Sequence, residues 1–296
     1  IVISIPLGSS SVYISDALEE EGVISSSTAF NWYLQRHGIR SDLQAGTYRF
    51  NTNQSVQEIA EMLVNGEIDT SLFTISPGQY LDELKASFRE YGWSKAEVDK
   101  AFSAKYSHPL MKFKPAKASL EGYIFPETFQ VTSTSSPEDV LEQSFDALYS
   151  KITSKMKKQI KAQGLSMHEA FILSSIVFQE SGSVKQQSKI AGVFYNRLDE
   201  GIVLGSDVTF IYASEQAGVS EDPTIDSPYN TRIYGGLPPG PISNFQFSAL
   251  QAVAKPANHD YLYFVAGDDG NIYYSSTLAE HESLTERYCK EGCLLQ

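Results

Sequence analysis

The chain has 296 residues, 42% of them hydrophobic, which suits one large domain or a few small ones with a substantial core. Against 23 Lys and Arg stand 36 Asp and Glu, a net charge of −13, and a surface of that sign repels phosphate backbones and argues against nucleic acid as a partner. No apolar run is long enough to span a bilayer; because the chain opens at Ile1 and not at a methionine, removal of an upstream segment is expected.

Residues 2–6 alternate like an edge strand, and residues 11–21 form an amphipathic helix with Val12, Ile14, Ala17 and Leu18 inward, ended by Gly22. Ser27 is the expected cap of a second helix carrying Phe30, Trp32, Tyr33 and Leu34, stopped by Gly38. Residues 45–50 return as a turn and a strand. This β-α-α-β layout resembles a LysM-like module, a fold used to bind glycans. A third helix follows, with Ser55 as cap, Glu58 as capping-box partner and Ile59, Met62 and Leu63 buried. Residues 71–75 read as a strand, Ser76-Pro77-Gly78 as a turn, and residues 81–91 and 94–103 as two helices. Residues 106–118, rich in proline and lysine, read as an exposed connection.

Leu120-Glu121-Gly122-Tyr123-Ile124-Phe125-Pro126-Glu127-Thr128-Phe129 is aromatic with two carboxylates, and by itself reads as a strand edge with solvated acids. The next informative element is a helix capped by Ser166, with Glu169 as capping-box partner. Residues 170–178 are apolar nearly all round, as in a helix buried in a core. Glu180 follows Val177 by three residues, Ile176 by four and Leu173 by seven, so it shares their buried face, and Ser181-Gly182 ends the helix. A carboxyl there loses water, which disfavours its charged form and raises its pKa, the property of a general acid at neutral pH. The alternative is a buried Glu paired with Arg197 on the next helix. Gly236-Leu237-Pro238-Pro239-Gly240-Pro241-Ile242 is neither helix nor central strand but a stiff loop, which loses little freedom around a ligand. Strands are expected again near residues 261–266 and 271–275. Cys289 and Cys293, spaced as C-x3-C with His281 the one histidine nearby, lack enough ligands for zinc; they read as free thiols at a chain end, with a small disulfide staple as the alternative.

Together these stretches resemble one family, the bacterial endolytic murein transglycosylases of the MltG or YceG-like type. The residues that carry the likeness are 45–48, 120–128, 175–180, 193–198, 206–209, 229–231, 236–242, 254–256 and 261–266, in the family's order and spacing over nearly the whole chain. The resemblance implies an α+β fold: a small LysM-like βααβ module at 1–70, then a lysozyme-like, largely helical catalytic domain at 71–296. It implies lytic cleavage of peptidoglycan to 1,6-anhydro ends with Glu180 as catalytic acid and base. Tyr123, Tyr229, Asn230, Thr209, Thr231 and the loop residues Gly236, Pro238, Pro239 and Gly240 are then expected at the substrate, with Glu121 and Asp207 as weaker groove acids. No cofactor or metal is expected. The implied partners are glycan strands and wall-synthesis enzymes, and the implied location is the outer face of the cytoplasmic membrane, held by an N-terminal anchor. The chain departs from the family pattern at Phe178, Gln186 and Val208. Competing readings are a two-carboxylate hydrolase that adds water, a glycan-binding protein without activity, and an aminodeoxychorismate lyase, which would need pyridoxal phosphate on a lysine.

Overall fold

The computed structural model describes residues 1–51 and 53–290. Among these, α-helices and short paired strands make an α+β fold. The chain forms two compact units: residues 1–73 with 128–136, and residues 74–127 with those from 137 onward.

In the first unit, β1 (Val2–Ile5) and β2 (Gly46–Arg49) pair antiparallel with Ile3 opposite Tyr48. Between them run α1 (Ser11–Glu20) and α2 (Ser27–His37), and α3 (Val56–Asn65) follows. Ile3, Ile14, Leu18, Phe30, Leu34, Tyr48, Ile59 and Leu63 make one apolar core. Alternation on β1 and the three-to-four spacing on the helices put these residues on the faces that meet. The α3 capping box forms as expected, Glu58 N–H donating to Ser55 Oγ at 3.2 Å and Ser55 N–H to Glu58 Oε2 at 2.7 Å. Two expectations need correction. Ser26, not Ser27, caps α2, its Oγ accepting from Ala29 N–H at 3.3 Å. Val12 is half exposed, because the inward face of α1 is set by Ile14, Ser15 and Leu18. β3 (Thr70–Thr74) pairs with β4 (Thr128–Thr132).

The second unit is built around one buried helix. It begins with α4 (Leu81–Tyr91), α5 (Lys95–Ser103) and a short 3-10 helix at Pro109–Phe113. The connection expected at 106–118 is exposed or half-buried except at this turn, where Leu110 is fully buried, and Tyr106 donates to Ala101 O at 2.7 Å. Next come α6 (Pro137–Lys151), α7 (Ser154–Ala162), α8 (Met167–Glu180), α9 (Val184–Asp199), α10 (Asp207–Ala217) and α11 (Phe247–Ala254). Helix α8 packs against α7, α9, α10 and α11, so every residue from Ala170 to Val177 is buried. Its start is set by Ser166 and Glu169, whose reciprocal bonds measure 3.2 and 2.7 Å. Replacing Ser166 by Ala is expected to cost about 1 kcal/mol, read as a thermal midpoint lower by a few degrees. β5 (Tyr263–Ala266) and β6 (Ile272–Ser275) form an antiparallel hairpin, Phe264 opposite Tyr274, and α12 (Leu278–Tyr288) packs on it.

Loop 236–246 is fixed from two sides. Ile242 N–H donates to Ser175 Oγ of α8 at 3.0 Å. The turn at Gly122 fits under Pro241: its φ is +75°, and a Cβ there would stand 2.4 Å from Pro241 Cβ, so the turn requires glycine. Cys289 is disulfide-bonded, which corrects the reading of free thiols; Cys293 lies outside the described residues. Among the described residues no helix is long and apolar enough to cross a membrane.

Candidate active site

Glu180 is the last residue of α8, where Ser181 turns extended. Its side chain lines a cavity of about 1000 Å³ with Arg197 of α9, Ser206, Asp207 and Arg232, Tyr263 of the hairpin and His281 of α12. The residue is half-buried, with its carboxyl packed among protein atoms. Loss of water pushes its pKa up to about 7; the hydrogen bond from Ser206 works against the rise, Asp207 adds to it and Arg197 opposes it. Ser206 Oγ donates to Glu180 Oε1 at 2.5 Å. Among the described residues the carboxyl makes no other hydrogen bond, and the side chain lines the cavity.

Ser206 is held by two buried threonines. Its N–H donates to Thr231 Oγ1 at 3.1 Å, Thr231 Oγ1 bonds Thr209 Oγ1 at 2.8 Å, and Thr209 Oγ1 donates to Ser206 O at 2.6 Å. Each hydroxyl has one proton, so the chain runs in one direction: Thr231 donates to Thr209, and Thr209 to the serine carbonyl. Thr209 and Thr231 therefore serve the site by fixing Ser206, and neither has surface left for a sugar.

Arg197 does not form the ion pair with Glu180 that was the alternative to a catalytic role. Its Nε donates to Leu262 O at 2.5 Å and its Nη1 to Leu204 O at 2.6 Å, and the guanidinium lies 5.0 Å from the centre of the Tyr263 ring. Gly205 makes room for it: φ is +58°, and a Cβ would approach Nη1 to 2.8 Å. Asp207 accepts from Arg232 Nε at 2.6 Å.

The other expected substrate residues sit elsewhere. Asn230 is fully buried; its Nδ2 donates to Pro223 O and Ile225 O at 3.0 and 3.1 Å, and its Oδ1 accepts from Arg232 N–H at 3.0 Å. It shapes the loop that carries Arg232. Tyr123 is fully buried and bonds His168 Nδ1 at 2.8 Å, so a sugar contact would need a surface it does not have. Glu121 is also buried, not solvated on a strand edge. Its Oε2 accepts from Leu81 N–H at 3.0 Å and Tyr212 OH at 3.3 Å, and burial pushes its pKa up to about 8. Neither Glu121 nor Tyr123 lines the Glu180 cavity. Tyr229 is half-buried against Tyr212, with its hydroxyl beside Gly240. Pro238 and Pro239 border a separate cavity of about 540 Å³ with His168 and Tyr195, and Gly236 is exposed. At two of the departures from the family pattern, Gln186 accepts from Tyr274 OH at 2.9 Å, and Phe178 packs near Gly78.

Sequence reasoning gave no role to Ser206, Arg232, Tyr263 or His281. Ser206 was within reach, since it stands beside Asp207 in a motif already noted. The hairpin and α12 residues reach the cavity only through long-range packing.

The profile of the YceG-like family matches residues 3–287. An endolytic murein transglycosylase of Bacillus subtilis (strain 168) is 33% identical over 97% of this chain and 84% of its own length. One from Streptococcus pneumoniae serotype 2 (strain D39 / NCTC 7466) is 29% identical over 95% of this chain, which spans 57% of that protein. The crystal structure of a yceG-like protein from Listeria monocytogenes superposes with a TM-score of 0.63 at 31% identity, covering 96% of this chain and 98% of that one. With its match running from the first strand to the last helix, the chain belongs to the YceG-like family.

Proposed function

We propose that this protein is a lytic transglycosylase that cuts peptidoglycan strands internally, between N-acetylmuramic acid and N-acetylglucosamine, with Glu180 as acid and then base. The observation that carries the reading is the Glu180 carboxyl: pKa raised to about 7, Oε1 fixed by Ser206, and the side chain lining the cavity. Two relatives that match nearly the whole chain bear the name endolytic murein transglycosylase, which supports the same substrate here.

Protonated Glu180 donates from Oε2 to the glycosidic oxygen, and that bond breaks as positive charge builds at the muramoyl anomeric carbon. The substrate's acetamido group assists, as in other substrate-assisted glycosidases. The resulting carboxylate takes the proton of the same sugar's 6-hydroxyl, whose oxygen closes on the anomeric carbon to give a 1,6-anhydro end. One carboxyl suffices because the nucleophile is intramolecular. Asp207, the groove acid nearest in sequence to Ser206, is engaged by Arg232. Digestion in ¹⁸O-labelled water tests this step: the product carries no label if the ring closes on itself, and labelled reducing ends mean a hydrolase.

Activity is expected to fall as pH rises through about 7, where Glu180 loses its proton. Asp207→Asn removes a nearby negative charge and should move that fall to lower pH. Ser206→Ala removes the bond that favours the ionised form and should move it to higher pH, with a rate loss of roughly tenfold. A fall that moves in neither variant would separate the pH dependence from Glu180.

Strand, helix, helix and strand over residues 2–49, with the antiparallel β1–β2 pair, support a LysM-like glycan-binding module in the first unit. In this reading the protein works on the outer face of the cytoplasmic membrane through an N-terminal anchor, beside wall-synthesis enzymes, as the family resemblance implies.

A further inference from the structure

Building on the assignment of the Glu180 cavity as a glycan groove, we propose that His281 is a second substrate-contacting residue there, its imidazole hydrogen-bonding a hydroxyl or acetamido group of the bound amino-sugar strand. His281 lies on α12 and lines the same cavity as Glu180. Its backbone is satisfied within the helix, N–H to Thr277 O at 3.0 Å and O from Thr285 Oγ1 at 2.9 Å. Its ring is not: among the described residues Nε2 forms no hydrogen bond, and Nδ1 is buried without a partner.

Nδ1 is sealed from the cavity, so a ligand there meets the ring at Nε2, the nitrogen that no protein group occupies. The ring is also aimed. It stacks on Tyr263 at 5.3 Å with planes 23° apart, and Tyr263 is fixed by the Arg197 guanidinium. Ser206, Asp207 and Arg197 already commit polar groups to protein partners, whereas His281 commits none from its ring. A neutral imidazole presents Nε2 as donor or acceptor according to its tautomer, which suits a hydroxyl or an acetamide group. Burial, then Arg197, hold its pKa below the ordinary histidine value, which keeps the ring in that neutral form.

The test uses His281→Phe, which keeps the stack on Tyr263 and removes both nitrogens, and His281→Gln, which restores a donor and an acceptor. Calorimetry follows binding of purified glycan strands in a Glu180→Gln background, and kcat/KM is measured with Glu180 intact. Expected is a loss of about tenfold or more in both for the Phe variant, partial recovery with Gln, and a thermal midpoint for the Phe variant no lower than the parent's. Equal binding and turnover by the Phe variant would make His281 a packing residue and overturn the proposal. Absence of cleavage by the unaltered protein would instead sink the catalytic reading, and the binding arm would then decide His281; no strand binding by the parent overturns both.

Discussion

Replacing Glu180 by Gln is expected to cut glycan cleavage by roughly 10²–10⁴-fold, the usual contribution of a positioned acid–base group, while making the folded protein more stable at alkaline pH. The two effects share one cause. Burial holds the folded-state pKa near 7, against 4.5 for an ordinary glutamate. As pH rises past 4.5 the unfolded chain ionises this residue first, so the folded state loses relative stability until its own pKa is passed. Above about pH 7 the accumulated cost is about 3 kcal/mol. Gln keeps the shape and still accepts from Ser206 but never ionises, so its advantage is absent at about pH 4 and full at about pH 8. Thermal unfolding of both proteins across that range measures it. Parallel curves would mean that Glu180 is not held protonated by the fold.

Arg197→Met is expected to destabilise the protein by about 3 kcal/mol and to move the alkaline fall in activity to higher pH. Removing the guanidinium leaves Leu204 O and Leu262 O without their donors, each buried acceptor costing about 1–3 kcal/mol. It also removes a positive charge that favours the ionised form of Glu180. Chemical denaturation reads the first effect and a pH–rate profile the second. Were Glu180 held by Arg197 as an ion pair, the same substitution would leave an unpaired buried carboxylate, and a large loss of activity would follow without a coherent shift of the profile.

The parts of this arrangement that were legible in the sequence are local. The apolar run 170–178, its Ser166–Glu169 box and the Ser181-Gly182 stop give α8 and put Glu180 at its end, because helix spacing and capping are properties of neighbouring residues. The stiffness of loop 236–242 follows from its prolines and glycines in the same way. Tyr123 and Asn230 were expected at the sugar because polar and aromatic residues suit carbohydrate; in the fold those polar atoms pair with His168 and with loop carbonyls. Nothing local distinguishes a hydroxyl facing a ligand from one facing a neighbour about 45 residues away. His281 was harder still, since its place depends on α12 folding back over β5 and β6.

The most direct measurement is the mass of the fragments released from purified peptidoglycan glycan strands by the protein and by its Glu180→Gln variant, side by side. The account predicts fragments ending in 1,6-anhydro-N-acetylmuramic acid from the first and essentially none from the second. Reducing ends, or anhydro ends made equally well by both proteins, would contradict it.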